Sequence, residues 1–247
     1  MRNVLNTLRV LEEVAIRQPV GVGELARVLV MPKSSVQRAL YTLNTAGWIR
    51  PARAEITRWV VTTRALSVGR YASGDLGLRD AAVPVMEELR RCTEETIHLT
   101  VPEGDKVVLI ERLETSKPVR ISMSLGHELP LHASANGKAV LANSPPEIIE
   151  RLLDQGLARY TDTTITNRDR MLAELERIRA QGYATNHGEW RSDVGSIAAV
   201  IGDAGVPIAS LSVNLPVSRL CDVSSARYGA AVREAAHSIT TRLRHAL

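Results

Sequence analysis

A chain of 247 residues with 45% hydrophobic positions holds enough apolar material for one large domain or two modest ones. Its two cysteines, Cys92 and Cys221, exclude a disulfide framework, and neither stands in a C-x-x-C pair of the zinc or redox kind. The first residues lack the apolar core and cleavage site of a signal peptide, and no stretch approaches the ~20 apolar residues that span a bilayer, so a cytoplasmic protein without a membrane partner is expected.

The charge is unevenly spread. Residues 1–70 carry eleven Lys or Arg against four Asp or Glu, a balance of +7, whereas the rest carries 20 against 23, a balance of −3. A basic N-terminal module joined to a mildly acidic remainder suggests that one part meets a polyanion and the other does not.

In chain order, Val4 to Arg17 places Leu5, Leu8, Leu11, Val14 and Ala15 on one face of a predicted helix, which Gln18-Pro19 ends. Gly21-Val-Gly-Glu-Leu-Ala26 superficially matches a dinucleotide-binding glycine pattern, but no buried strand precedes it. The run from Val22 to Trp48 reads as a short helix, a turn and a second helix opening on Pro32 and stopping at Gly47. In that second helix Val36, Leu40 and Leu43 fall at i, i+4 and i+7 and make a buried stripe. Lys33, Ser34, Ser35, Gln37, Arg38 and Tyr41 remain for the outer face, where the free N–H groups of the first turn and these side chains suit phosphates and base edges. A helical hairpin with a merely solvated face shares this pattern. The next segment shifts the balance: Trp48 to Val61 reads as two short β-rich strands around a basic turn with Arg50, Arg53 and Arg58, which makes a winged helix-turn-helix.

Thr63 to Arg70 predicts one more short helix, and Ala72-Ser-Gly-Asp75 marks a boundary. Leu76 to Cys92 is a longer helix with an apolar stripe of Leu78, Ala82, Val85, Met86 and Leu89, and Pro84 is expected to bend it. From Glu95 the rhythm changes to strands at Thr96–Val101 and Val107–Arg112, helices at Ala133–Asn143, Pro146–Gln155 and Asn167–Gln181, strands at Ser196–Ile201 and Pro207–Leu215, and a closing helix at Val223–Leu247. Antiparallel hairpins with segregated helices indicate an α+β sensory domain.

Enzymatic motifs are weak. No G-x-S-x-G elbow occurs, Gly137-Lys138 lacks the context of a phosphate loop, and His98, His127, His132, His187 and Asp193 are scattered without ligand spacing. His132 reads as a core or turn histidine and His127 as a loop one. Glu189-Trp190-Arg191 reads either as a lid or as a loop anchored by its indole. No cofactor or metal is expected, although a metal site gathered from distant histidines stays open.

The helix-turn-helix, the run Leu131-His-Ala-Ser-Ala-Asn-Gly-Lys-Ala-Val-Leu-Ala142, Gly182-Tyr-Ala184, and Ile197-Ala-Ala199 leading to Val206-Pro-Ile-Ala-Ser-Leu-Ser-Val213 together resemble the IclR family of bacterial transcription regulators, from about Val4 to Leu243. The resemblance implies a two-domain α+β protein: a winged helix-turn-helix over residues 1–73, a linker helix over 74–92 and a GAF-like effector-binding domain with an antiparallel sheet over 93–247. It implies a homodimer, or a dimer of dimers, on palindromic double-stranded DNA, acting as repressor or activator of a metabolic or catabolic operon, with no catalysis of its own. Gln37 and Arg38 are the candidates for base contacts, and Lys33, Ser34, Ser35 and the wing arginines for phosphates. The family's effector site maps to Ala135, Asn136, Asn186, Ser196, Ser212 and Asn214, with an apolar wall from Ile121, Met123, Leu125 and Leu129. Asn186 stands where an acid can occur, Asn136 replaces a small apolar residue, and Ser196 occupies a position that can be Cys. The implied effector is a small organic or aromatic acid, received at the helix opened by Ser134–Gly137 and felt through the Leu76–Cys92 helix. Asn136 also reads as a helix cap and Ser196 and Ser212 as small strand residues. A C-terminal domain that only oligomerises is the alternative function, and a metal-assisted hydrolase a third.

Overall fold

A computed structural model describes residues 2–52, 57–72, 77–203 and 206–246. The chain divides into two compact units, Met1–Gly74 and Asp75–Leu247.

In the first unit, α1 (Arg2–Arg17), α2 (Val22–Val28) and α3 (Lys33–Thr45) precede a two-stranded antiparallel ribbon of β1 (Ile49–Pro51) and β2 (Trp59–Val61), and α4 (Arg64–Ala72) follows. Val36, Leu40 and Leu43 are buried as their spacing requires, joined by Ala39, Val10, Val14, Leu25 and Ile49 in one small core. Pro32 is the residue that caps α3 rather than its first helical residue, with extended backbone at φ −56°, ψ 136°. Gly47 takes the left-handed turn after the helix at φ +76°. Of the expected stripe of α1 only Val14 is buried and Leu11 half-buried; Leu5, Leu8 and Ala15 are exposed, as is Val4, and the second residue that α1 buries is Val10, outside that stripe.

The second unit is a six-stranded antiparallel sheet in the order β5-β4-β3-β8-β7-β6, built from β3 (Thr96–Glu103), β4 (Lys106–Leu113), β5 (Glu128–Pro130), β6 (Ala184–His187), β7 (Val194–Asp203) and β8 (Val206–Pro216). Neither β5 nor β6 is among the expected strands. Both are edge strands of three or four residues, too short to show alternation. One sheet face carries Ile97, Leu99, Ile197, Ala199, Leu211 and Val213 and packs on α5 (Leu78–Thr93) and α9 (Asp222–Ala246). The expected linker stripe of Leu78, Ala82, Val85, Met86 and Leu89 is thus part of this core, and Leu76 lies outside the described residues. The helix runs through Pro84, which removes one donor to the preceding turn without ending it.

The opposite face is covered by α6 (Ala135–Ala142), and α7 (Pro146–Asp154) and α8 (Arg168–Gln181) complete the core on that side, α8 packing on α6. α6 is seated backbone against backbone: a methyl group on Gly137 would collide with the Pro130 carbonyl oxygen and the Leu131 backbone, so only glycine permits this approach. Ser134 caps the helix, accepting from the Gly137 N–H and donating to the Pro130 carbonyl.

Candidate functional site

In the helix-turn-helix, the buried stripe of α3 fixes which side chains face out. Lys33, Ser34, Gln37, Arg38 and Tyr41 are exposed and Ser35 is half-buried. No side chain caps α3; the Ser35 N–H bonds back to the Pro32 carbonyl, so the donors that helix geometry leaves over at this end are those of Lys33 and Ser34. Arg50 is exposed on the wing, whereas Arg58 donates to the Pro19 carbonyl at 2.9 Å and lies 3.8 Å from Glu24, which ties it back to its own domain. Arg53 lies outside the described residues.

In the second unit the sheet face beneath α6 is polar although it is buried. The pleat that sends Ile97 and Leu99 to one core sends Thr96, His98 and Thr100 to the other side, and β8 likewise presents Ser210, Ser212 and Asn214. Register aligns them in rows: Asn186, Ser196, Asn214 and Thr96 lie side by side across four strands, and Ala198, Ser212, His98 and Arg112 form the next row. Thr100 faces Ser210 in the third. A buried sheet face ordinarily carries Val, Ile or Leu, because each unpaired polar group there costs about 1–3 kcal/mol.

Several of these groups satisfy one another. Asn136 Nδ2 donates to Ser210 Oγ at 3.1 Å and to Thr100 Oγ1 at 3.2 Å, and those hydroxyls are 2.7 Å apart. Asn136 is therefore a link from α6 to the sheet and not the helix cap, which is Ser134. Asn214 Nδ2 donates to Ser212 Oγ at 2.9 Å, and Asn186 Oδ1 accepts from the Glu189 N–H at 2.8 Å, closing the turn after β6.

His98 is the exception. It is fully buried, and neither ring nitrogen has a hydrogen-bond partner among the described residues. Burial, and secondarily the Arg112 guanidinium, hold its pKa down to about 3, so the ring is neutral. Sequence reasoning does not place His98, Thr96, Thr100 or Ser210 in the site, although the alternation Thr-Ile-His-Leu-Thr in β3 is a signal for the first three.

The segment between β4 and β5 closes one side. Ile121, Met123 and Leu129 are buried beside Ala135, but Leu125 is 54% exposed and forms no wall. It occupies the second position of a tight turn in which the His127 N–H donates to the Ser124 carbonyl and Gly126 supplies φ +82°, which throws its side chain outward. Arg112 holds this segment by donating to the Met123 carbonyl and to Ser122 Oγ. Buried Glu95 accepts from Lys117 at 3.0 Å and from Arg219 at 2.8 Å.

Behind α6, Lys138 is buried and paired with Glu189 at 2.6 Å and Glu174 at 3.0 Å. Burial pushes the Glu189 carboxyl above its ordinary pKa while Lys138 opposes the shift. Glu189 is thus an internal anchor, and Trp190 lines a surface cleft of about 340 Å³ with Tyr160, His132 and Leu129 rather than covering the polar face. His132 donates its Nε2–H to the Ala158 carbonyl, 2.8 Å away. Among the described residues no group of three or more His, Cys, Asp or Glu is placed to hold a metal ion, and no helix is long and apolar enough to cross a membrane.

Known proteins share both halves. Residues 4–53 match the IclR helix-turn-helix domain, and residues 71–241 match the family described as bacterial transcriptional regulator IclR C-terminal. The HTH-type transcriptional regulator KdgR of Escherichia coli is 30% identical over 98% of this chain and 92% of its own length. BhcR of Paracoccus denitrificans, of the same description, is 33% identical over 97% of this chain and 86% of its own. Among solved structures, an IclR homolog from Microbacterium hydrocarbonoxydans complexed with 4-hydroxybenzoate superimposes with a TM-score of 0.83 at 27% identity, covering 98% of this chain and 99% of that one. These relatives regulate transcription and are not enzymes, and the protein belongs with them to the IclR family of bacterial transcriptional regulators.

Proposed function

We propose that this transcription regulator reads a palindromic duplex operator as a homodimer or a dimer of dimers, and that a small organic acid bound beneath α6 alters its grip on that operator. The observation that carries the ligand half is the polar sheet face: seven neutral hydrogen-bonding side chains, Thr96, His98, Thr100, Ser196, Ser210, Ser212 and Asn214, are buried where packing alone calls for apolar ones. The first-turn N–H groups of Ala135 and Asn136, left without intrahelical partners by helix geometry, suit a carboxylate. The 4-hydroxybenzoate complex of the Microbacterium homolog supports an aromatic or short aliphatic acid of this kind.

On the DNA side, Gln37 and Arg38 read base edges, while Lys33, Ser34, Ser35 and Arg50 hold phosphates and Tyr41 flanks them. One such module buries little surface, so useful specificity needs two half-sites. The exposed stripe of Val4, Leu5 and Leu8 on α1 supports a paired arrangement. Because α5 belongs to the core beneath the sheet, ligand occupancy is passed on through it, provided that the acid binds the DNA-competent and incompetent states unequally. Its work on DNA makes the bacterial cytoplasm its compartment.

A thermal-shift screen of the full chain against small acids tests the ligand half. At a hundred times its dissociation constant a true ligand adds ~2.7 kcal/mol to the domain that binds it, and changing Ser212 and Asn214 together abolishes the shift. No shift with any acid would leave the C-terminal domain as an oligomerisation module.

A further inference from the structure

Nearly every polar group around His98 has a partner of its own. Ser212, directly opposite it on β8, accepts from Asn214, and Arg112, opposite it on β4, is engaged by Met123, Ser122 and Glu114. Thr100 and Ser210, one row along, hold each other and Asn136. His98 stands among them fully buried, with Nδ1 and Nε2 both unpartnered among the described residues. A core histidine serving only to pack would bond at least one nitrogen to a neighbouring hydroxyl or carbonyl, as His132 does with Ala158.

A neutral imidazole presents one N–H donor and one lone pair. A carboxylate offers only acceptors, so it serves the N–H and leaves the lone pair bare. An O–H group serves the lone pair. The first turn of α6 already provides for the carboxylate, and Asn136 ties that turn to the row beside His98.

We infer that His98 is a specificity-determining residue that receives the hydroxyl of the effector, so that the site takes a small hydroxy acid in preference to the same acid without its hydroxyl. This rests on the reading that a small acid binds beneath α6. Discrimination of this kind is strong where a buried group is built to pair with a hydroxyl, because the deoxy analogue leaves that group unpaired.

The test is isothermal calorimetry on the full chain with two matched pairs, 4-hydroxybenzoate against benzoate and lactate against propionate, using wild type, His98→Phe and His98→Gln. In wild type the hydroxylated member of at least one pair binds about tenfold tighter or more. His98→Phe brings that ratio to about one without weakening the deoxy acid, and His98→Gln, which keeps a donor and an acceptor, retains part of it. Equal affinities within both pairs in wild type, or a ratio unchanged in His98→Phe, overturns the role of His98 and leaves the acid site standing. Should His98→Phe fail to fold, the smaller His98→Leu takes its place, and the same two outcomes support or overturn the role. If none of the four acids binds wild type, the acid site and the inference on it both fall.

Discussion

Asn136 reaches from the first turn of α6 into the sheet, its amide 3.1 Å from Ser210 Oγ and 3.2 Å from Thr100 Oγ1. The helix proposed to receive the ligand's charge is thereby joined to the strands that line its other side. Truncation to Asn136→Ala leaves the two hydroxyls bonded to each other at 2.7 Å and costs about 1–2 kcal/mol. Asn136→Leu, of similar volume, sets an apolar group against them and costs more. Denaturant unfolding midpoints for the two variants rank them, and an equal or reversed order would contradict the link.

Lys138 and its two carboxylates make the sharpest stability prediction. Lys138→Met removes the cation and leaves Glu189 buried with its charge uncompensated, a loss of about 3–5 kcal/mol at neutral pH. Burial already raises the Glu189 pKa, so the folded chain binds that proton more tightly than the unfolded one. Stability therefore gains as pH falls through the folded pKa towards 4.5, and the deficit of the variant narrows over the same range. Melting temperatures at several pH values read this, and a pH-independent deficit would count against it.

The acid limb of the stability curve belongs in part to His98. Its pKa is 6.5 when exposed and about 3 in the fold, so below pH 6.5 the unfolded chain takes up a proton that the folded chain refuses. The resulting loss of stability is absent above pH 6.5 and grows as pH falls towards 3, reaching about 2 kcal/mol at pH 5. His98→Gln abolishes it, whereas the lowered pKa of His132 acts in both proteins alike. Subtracting the two stability curves isolates the His98 share, and a flat difference between pH 6.5 and about 5 would refute it.

On DNA, Lys33 and Arg38 separate by the kind of group each one meets. Lys33→Ala weakens binding to all sequences about equally and lowers the slope of log affinity against log salt by about 0.9 for the one phosphate it neutralises. Arg38→Ala relaxes preference at one base pair and costs about 1–3 kcal/mol on the cognate site. Binding to a randomised pool distinguishes the two, and a uniform loss for Arg38→Ala removes it from base reading.

Much of the fold is legible in the chain. Pro32, Gly47 and the spacing of Val36, Leu40 and Leu43 settle α3 because helix ends and faces are local properties. The alternation in β3 is equally local, yet it reads as a strand with one solvated face, and only the coverage by α6 reveals that Thr96, His98 and Thr100 are buried. Family likeness reaches Ser212 and Asn214 but not His98, which only the alternation of β3 marks. Leu125 misleads for the opposite reason: its apolar character suits a wall, but the bend at Gly126 turns it out. Lys138 resembles half of a phosphate loop, and only the fold brings Glu174 and Glu189 to it.

Regulation requires that an acid beneath α6 change DNA binding. Fluorescence anisotropy of the full chain on the duplex it enriches from a random pool, with and without the acid that raises its melting temperature most, measures this directly. The prediction is a change in operator affinity of about 5-fold or more, matched by the reciprocal change in acid affinity when DNA is bound. Superimposable curves at saturating acid would contradict it.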